Sequence, residues 1–205
     1  MGDDNNVAGP PGDGHIAVRA PAPGRLLLGS ASARRRKILA DLGIACDVVA
    51  PEVEEVHWDT DPRGTVRENA ARKNAWCRAR FPQRSILTAD TVVVFEGRTI
   101  GKPRSIEEAH ALLRAFSGRA QYVYTGLAWH VPGRTLVEQV EESVVRFKPL
   151  TEAAIREYCA RVDPLDKAGA YDIDQCTDLI IAAYTGSWTN IMGLPAEVVR
   201  SLLNA

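Results

Sequence analysis

Residues 26–36 read LLLGSASARRR, and the fold class turns on how this stretch is read. A short apolar run predicts a strand over 25–28, and the small residues 29–31 predict a tight turn. A helix over 33–42 follows, with Ser32 as its cap, Ile38, Leu39 and Leu42 as its buried stripe, and Gly43 as its stop. Strand, turn and helix in that order mark an α/β protein. The turn also raises an electrostatic problem. Arg34, Arg35, Arg36 and Lys37 fall in the first two helical turns, where the helix dipole opposes each positive charge by roughly 0.3–1 kcal/mol. A helix N-terminus after a small-residue turn is also a cradle for an anion, with Ser30 and Ser32 as hydroxyl donors. A bound phosphate would give Arg34 or its neighbours a partner. A solvated basic face on an amphipathic helix is the other reading. Both remain open from this segment alone.

Working outward, residues 1–23 are rich in glycine and proline and poor in apolar side chains. Such a segment cannot bury enough surface to offset its ordering entropy, so a disordered tail is expected there. A single domain is expected over 24–205. Beyond the first helix, the pattern predicts a strand at 47–50, the acidic stretch PEVEEVHWDTD and a helix over 65–80 ended by Pro82. RSILTADTVVVFEGRTIGKP (84–103) reads as two strands separated by a polar interruption at 88–91 and closed by a turn at 96–98. Ser105 and Glu108 form a capping box for a helix that ends at Gly118. Two long strands, 120–131 and 136–147, pair around Pro132-Gly133. Thr151 caps a helix to Arg161. Short strands near 169–173, 178–183 and 187–190 precede a last helix with Pro195 at its first position. Strands and helices mix without regular βαβ alternation, which predicts a mixed sheet.

The chain of 205 residues carries 45% hydrophobic and 25% charged residues and a formal net charge of -1, as in a globular protein with a real core. That balance argues against bulk electrostatic binding to nucleic acid or an anionic membrane, so any basic site is local. No stretch approaches the roughly 20 apolar residues of a membrane span. No apolar signal core is visible, and a cytoplasmic protein is expected. Cys46, Cys77, Cys159 and Cys176 form no C-x-x-C pair and read as free thiols. The four histidines lack zinc-ligand spacing. GRTIGKP (97–103) superficially resembles a phosphate loop, but three residues separate its glycines and Pro103 stands where Ser or Thr is required. No G-x-G-x-x-G occurs.

Several segments together resemble one family. GSASARRRKILADLGI, EVEE, TADTVVVFEGRTIGKP, AHALLRAFSGR, DKAGAYDID and NIMGLP stand in the order seen in the Maf-like nucleoside triphosphate pyrophosphatases. The resemblance spans about 25–204. It implies an elongated, two-lobed α/β fold of the Maf/ITPase-like type, with a mixed sheet, flanking helices and a central cleft. It implies a homodimer and a divalent cation, Mg²⁺ or Mn²⁺. The implied reaction hydrolyses a nucleoside triphosphate to the monophosphate and pyrophosphate. By the same resemblance the catalytic aspartate falls on Asp90, its acidic partner on Glu54 and the cleft lysine on Lys102. Positions linked to substrate choice fall on Arg34, Thr91 and Asp174, and Arg34 and Thr91 point to dTTP or UTP.

The chemistry fits these residue types. A substrate with about four negative charges needs cations, for which Arg34, Lys102, Lys167 and the Ser30–Ser32 turn are candidates. A hard cation takes one or two carboxylates plus substrate phosphates, which Glu54 and Asp90 can provide. A carboxylate at a strand end suits deprotonation of water.

Three departures from the family pattern stand out: Ala33 replaces a proline, Asn74 aligns with the lysine of L-A-x-x-K-A, and Asp174 stands where GAYGI is followed by glutamine. Lys73 lies one position before Asn74, and one helical step turns a side chain by about 100°, which predicts Lys73 away from the cleft. Asp174 as a base-reading acid would favour 7-methyl-GTP. A non-catalytic nucleotide-binding regulator of cell division is the alternative that Asn74 motivates.

Overall fold

A computed structural model describes residues 24–204 of the chain; the expected tail at 1–23 lies outside the described residues. A seven-stranded mixed sheet organises the fold. Strand β1 (Leu26–Gly29) leads through Ser32 into helix α1 (Ala33–Asp41) and then β2 (Cys46–Val49). Helix α2 (Pro62–Arg80) precedes the long strand β3 (Ile86–Phe95), its short partner β4 (Arg98–Ile100) and helix α3 (Ile106–Phe116). The hairpin of β5 (Ala120–His130) and β6 (Val137–Phe147) leads to α4 (Glu152–Arg161). A 3-10 turn (Ala168–Ala170), α5 (Thr177–Ile180), β7 (Ile181–Thr185), α6 (Trp188–Ile191) and α7 (Ala196–Asn204) complete it. The strand order is β2-β1-β3-β5-β6-β7, with β4 paired to β3. Strand β1 runs parallel to β2 and β3, and the remaining pairs are antiparallel.

Local chemistry sets the helix starts. The Ser32 hydroxyl accepts from the Arg35 amide at 3.3 Å, and Asp61 accepts from the Gly64 amide at 2.7 Å with Pro62 in the first turn. Helix α2 therefore begins at Pro62, three residues before the sequence pattern places it. Ser105, Thr151 and Ser187 cap α3, α4 and α6 in the same way, each cap satisfying an otherwise orphaned amide.

One face of the sheet carries the main core, where Leu28, Leu87, Ala89, Leu127, Phe116 and Leu113 are almost wholly buried. Helix α2 covers the other face. Its packing on β5 depends on Gly126, where a Cβ atom would lie 2.3 Å from the Val66 carbonyl oxygen.

The expected mixed α/β sheet with flanking helices is present, and four local expectations are corrected. Residues 88–91 do not interrupt β3; they remain in the strand because each polar side chain finds a partner on its own face. The Thr88 hydroxyl, for instance, donates to the Ala70 carbonyl at 2.7 Å. The strand expected at 169–173 begins instead as a 3-10 turn, since Gly169 and Ala170 adopt left-handed φ of 75° and 63°. The strand expected at 187–190 is helix α6, started by the Ser187 cap, and the one expected at 178–183 is divided between α5 and β7.

Candidate active site at a notch in the sheet

Strand β3 has different neighbours along one edge. Residues 86–88 pair with β1, and residues 93–95 pair with β4. Among the described residues no strand pairs with 89–92 on that edge, which leaves a notch between the end of β1 and the start of β4. The Ser30–Arg34 turn and the N-terminus of α1 continue from one lip. Lys102 follows β4 on the other. Successive strand side chains point to opposite faces, so Asp90 and Thr91 project to the two sides of one notch.

On the α2 face, Asp90 is buried, at 8% exposure. The Lys73 ammonium donates to Asp90 Oδ1 at 2.7 Å and also lies 2.6 Å from Glu55 Oε1. Asn69 donates to Asp90 Oδ2 at 3.0 Å. The same Asn69 amide pairs with the backbone N–H and C=O of Val56, at 2.8 and 3.0 Å. It thereby ties the segment that carries Glu55 to the strand that carries Asp90.

On the opposite face, Arg35 is buried and bonded to three neutral oxygens. It donates to the Gly193 carbonyl at 2.8 Å, to Ser30 Oγ at 3.0 Å and to Thr91 Oγ1 at 3.0 Å. Thr91 is held in turn by the Thr125 hydroxyl at 2.9 Å. Gly193 has φ of 111°, a conformation that presents its carbonyl to Arg35 and that other residues rarely adopt. A guanidinium has five N–H donors, so three fixed bonds leave donors for a ligand. Burial lowers the Arg35 pKa from its ordinary value; the charges of Asp90 and Glu55 counter this effect, while Arg34 adds to it. The two faces of the notch thus share one electrostatic field.

A cleft of about 210 Å³ opens on this side, with polar walls from Ser32, Arg34, Arg35, Thr91, Lys102 and Asp172. Val93, Tyr171, Ile173 and Met192 give it an apolar floor. The basic run at the start of α1 is divided by direction. Arg35 is a buried anchor, Arg34 faces the cleft, Arg36 is exposed, and Lys37 pairs with Asp41 one turn on at 2.9 Å.

The structure thus gathers Asp90, Ser30, Ser32, Arg34, Thr91 and Lys102 at the notch, while Glu54 and Asp174 lie elsewhere and Lys167 stands beside the cleft, paired with acids. Glu54 is exposed, and its carbonyl, not its carboxylate, accepts a bond from Arg72 at 3.2 Å; Glu55 is the acid that reaches Lys73. Lys167 is buried beside the cleft, with its ammonium bonded to Asp166 and 3.8 Å from Asp172. Asp174 is exposed and lines a separate groove between α1 and α7, while its amide donates to Asp172 Oδ1 at 3.0 Å. Lys73 is not turned away from the site. Asn74 has a structural task, bonding the Ile86 and Ala128 carbonyls of β3 and β5 at 3.3 and 3.0 Å.

Sequence reasoning missed Arg35, Lys73, Asn69, Glu55 and Asp172. Helical periodicity carried the signal for three of them. Stepping back three residues from Ile38 marks Arg35 as buried. The spacing of Val66, Asn69, Ala70, Lys73 and Cys77 likewise puts two polar side chains in a buried stripe.

For a divalent cation, no group of three or more His, Cys, Asp and Glu side chains gathers among the described residues. Asp90 and Glu55 do offer two hard carboxylates on either side of Lys73. That donor set fits Mg²⁺ or Mn²⁺ when water and substrate phosphates complete the coordination, and it does not make a closed protein cage.

The match to the family model for Maf-like protein covers residues 25–205. A dTTP/UTP pyrophosphatase of Symbiobacterium thermophilum is 41% identical over 181 residues, covering 87% of this chain and 92% of that one. A dTTP/UTP pyrophosphatase of Thermotoga maritima is 39% identical over 181 residues, with 87% and 88% covered. Among solved structures, the Staphylococcus aureus Ham1 protein aligns with a TM-score of 0.48 at 15% identity, covering 88% of this chain and 98% of that one. The candidate site combines a carboxylate pair on one face of the notch with two arginines and a lysine in the cleft on the other. The chain belongs to the Maf family.

Proposed function

We propose that this protein hydrolyses dTTP and UTP to the nucleoside monophosphate and pyrophosphate. The relatives that carry that name share more than a third of its residues over nearly nine-tenths of its length. The observation that carries the reading is the notch itself. Adjacent residues of β3 engage a fixed guanidinium on one face and a buried carboxylate on the other. One substrate at the gap can therefore meet both.

Arg34, Arg35 and Lys102 neutralise the triphosphate, and the amides and Ser32 hydroxyl at the start of α1 add donors. Ser30 and Thr91 hold Arg35 so that its remaining N–H groups are preorganised. Asp90, oriented by Lys73 and Asn69, accepts the proton of the attacking water. Asp90 and Glu55 would hold the divalent cation, which supplies further neutralisation of phosphate charge and lowers the pKa of bound water. The features that favoured other readings have structural explanations. Lys73 provides the lysine that Asn74 lacks, and Asp174 stands outside the cleft. A homodimer, implied by the family resemblance, is part of the proposal and is read by sedimentation at micromolar concentration.

The test is a nucleotide panel of dTTP, UTP, CTP and 7-methyl-GTP with Mg²⁺ or Mn²⁺. The expected products are the monophosphate and pyrophosphate from dTTP and UTP. Tight binding without release of pyrophosphate from any triphosphate would overturn the enzymatic reading in favour of a nucleotide-binding regulator.

A further inference from the structure

We infer that Asp172 reads the nucleoside. Its carboxylate accepts a hydrogen bond from a donor on the base or sugar and keeps the triphosphate on the opposite wall. This rests on the proposal that the cleft holds a nucleotide. Asp172 is the one carboxylate among the residues that line the cleft, which it shares with Arg34, Arg35 and Lys102. It is also held in place. Its amide donates to the Tyr158 hydroxyl at 2.8 Å, Oδ1 accepts from the Asp174 amide at 3.0 Å, and Oδ2 accepts from Gln175 Nε2 at 3.0 Å. Tyr158 is itself fully buried. The Lys167 ammonium, 3.8 Å from Oδ2, supplies a counter-charge.

An ionised carboxylate offers about four acceptor sites and no donor, so the two internal bonds leave capacity for a ligand N–H or O–H. Phosphate oxygens at neutral pH are anionic acceptors and are repelled from this wall. A nucleoside has two kinds of suitable donor. The imide N3–H of uracil or thymine is one, and cytosine has no hydrogen there. The sugar hydroxyls are the other. Ile173 and Met192 beside Asp172 provide apolar surface for a base or sugar face.

The test compares wild type with Asp172→Asn on UTP, CTP and 2′,3′-dideoxyuridine triphosphate. Asparagine keeps the shape and an oxygen for the Asp174 amide while replacing one acceptor by a donor. Imide recognition predicts that the UTP-over-CTP ratio of kcat/KM falls at least about tenfold in the variant. Hydroxyl recognition predicts the same fall in the ratio of UTP to the dideoxy analogue. A common loss on all three substrates, or none, assigns Asp172 a turn-forming role only and overturns the inference. If wild type turns over no triphosphate, the hydrolytic reading fails by itself. The binding ratios of the same three nucleotides to the two proteins, measured by calorimetry, then decide the role of Asp172.

Discussion

On the α2 face of the notch, the Lys73 ammonium lies 2.6 Å from Glu55 and 2.7 Å from Asp90. On the opposite face, the Arg35 guanidinium donates to a backbone carbonyl and two hydroxyls, all neutral. Both cations are buried, yet their surroundings leave opposite residual charges. One ammonium between two carboxylates leaves a net negative site that suits a cation or a proton from water. A guanidinium among neutral acceptors keeps its positive charge and, with Arg34, can offer it to phosphate. The pleat of β3 keeps these two environments apart while the open edge lets one ligand reach both. Local partner choice, more than the overall charge of -1, determines what each side can bind.

Removing the cation on the acidic face is the most severe way to break this contrast. Lys73→Met leaves the buried Asp90 uncompensated and should lower the unfolding free energy by about 3–5 kcal/mol, read by urea denaturation. On the basic face, Arg35→Lys keeps the charge and loses the planar fork. The unmet oxygens of Ser30, Thr91 and Gly193 should cost about 1–3 kcal/mol, and KM for UTP should rise at least about tenfold. Gly126→Ala tests how α2 brings Lys73 and Asn69 over Asp90. The added methyl meets Val66 backbone, and a loss of about 1–2 kcal/mol in stability should accompany a lower kcat.

Two neighbouring acids sharpen the comparison further. Glu55→Gln should lower kcat/KM about tenfold because one of the two carboxylates that would hold the divalent cation is lost. Glu54→Gln, on the neighbour that does not pair with Lys73, should stay within about twofold of wild type.

The smallest effect concerns Cys77, packed near Gly29 beneath the turn, whose titration leaves stability independent of pH near neutrality. Burial pushes its thiol up to about 12 from an ordinary 9.0. The unfolded thiol ionises first as pH rises, so this contribution is complete below pH 9 and lost progressively toward pH 12. Between pH 8 and 10, wild type should lose more stability than Cys77→Ala in parallel urea titrations.

The strand-turn-helix opening, the capped helices and the long β5–β6 hairpin were legible in the sequence because apolar period and capping residues are local signals. Asp90, Arg34, Thr91 and Lys102 were legible through family motifs. The notch was not legible, because it arises from where β1 stops and β4 starts along β3, a property of pairing register. Glu55 could not be distinguished from Glu54 in a segment without periodicity; its choice is made by the Asn69–Val56 bonds. Asp172 and Asp174 are two residues apart, and only the turn closed by the Asp174 amide decides which faces the cleft. Lys73 is different in kind. Its helical stripe was visible, but a one-residue misalignment with the family pattern concealed it.

The central claim is that substrate-holding and proton-accepting groups occupy opposite faces of one notch and can be separated by mutation. Steady-state kinetics of Asp90→Asn on UTP test it most directly. The account predicts that kcat falls at least about 100-fold while KM stays within about threefold of wild type. A variant that keeps its turnover, or one that loses UTP affinity with kcat unchanged, would contradict it.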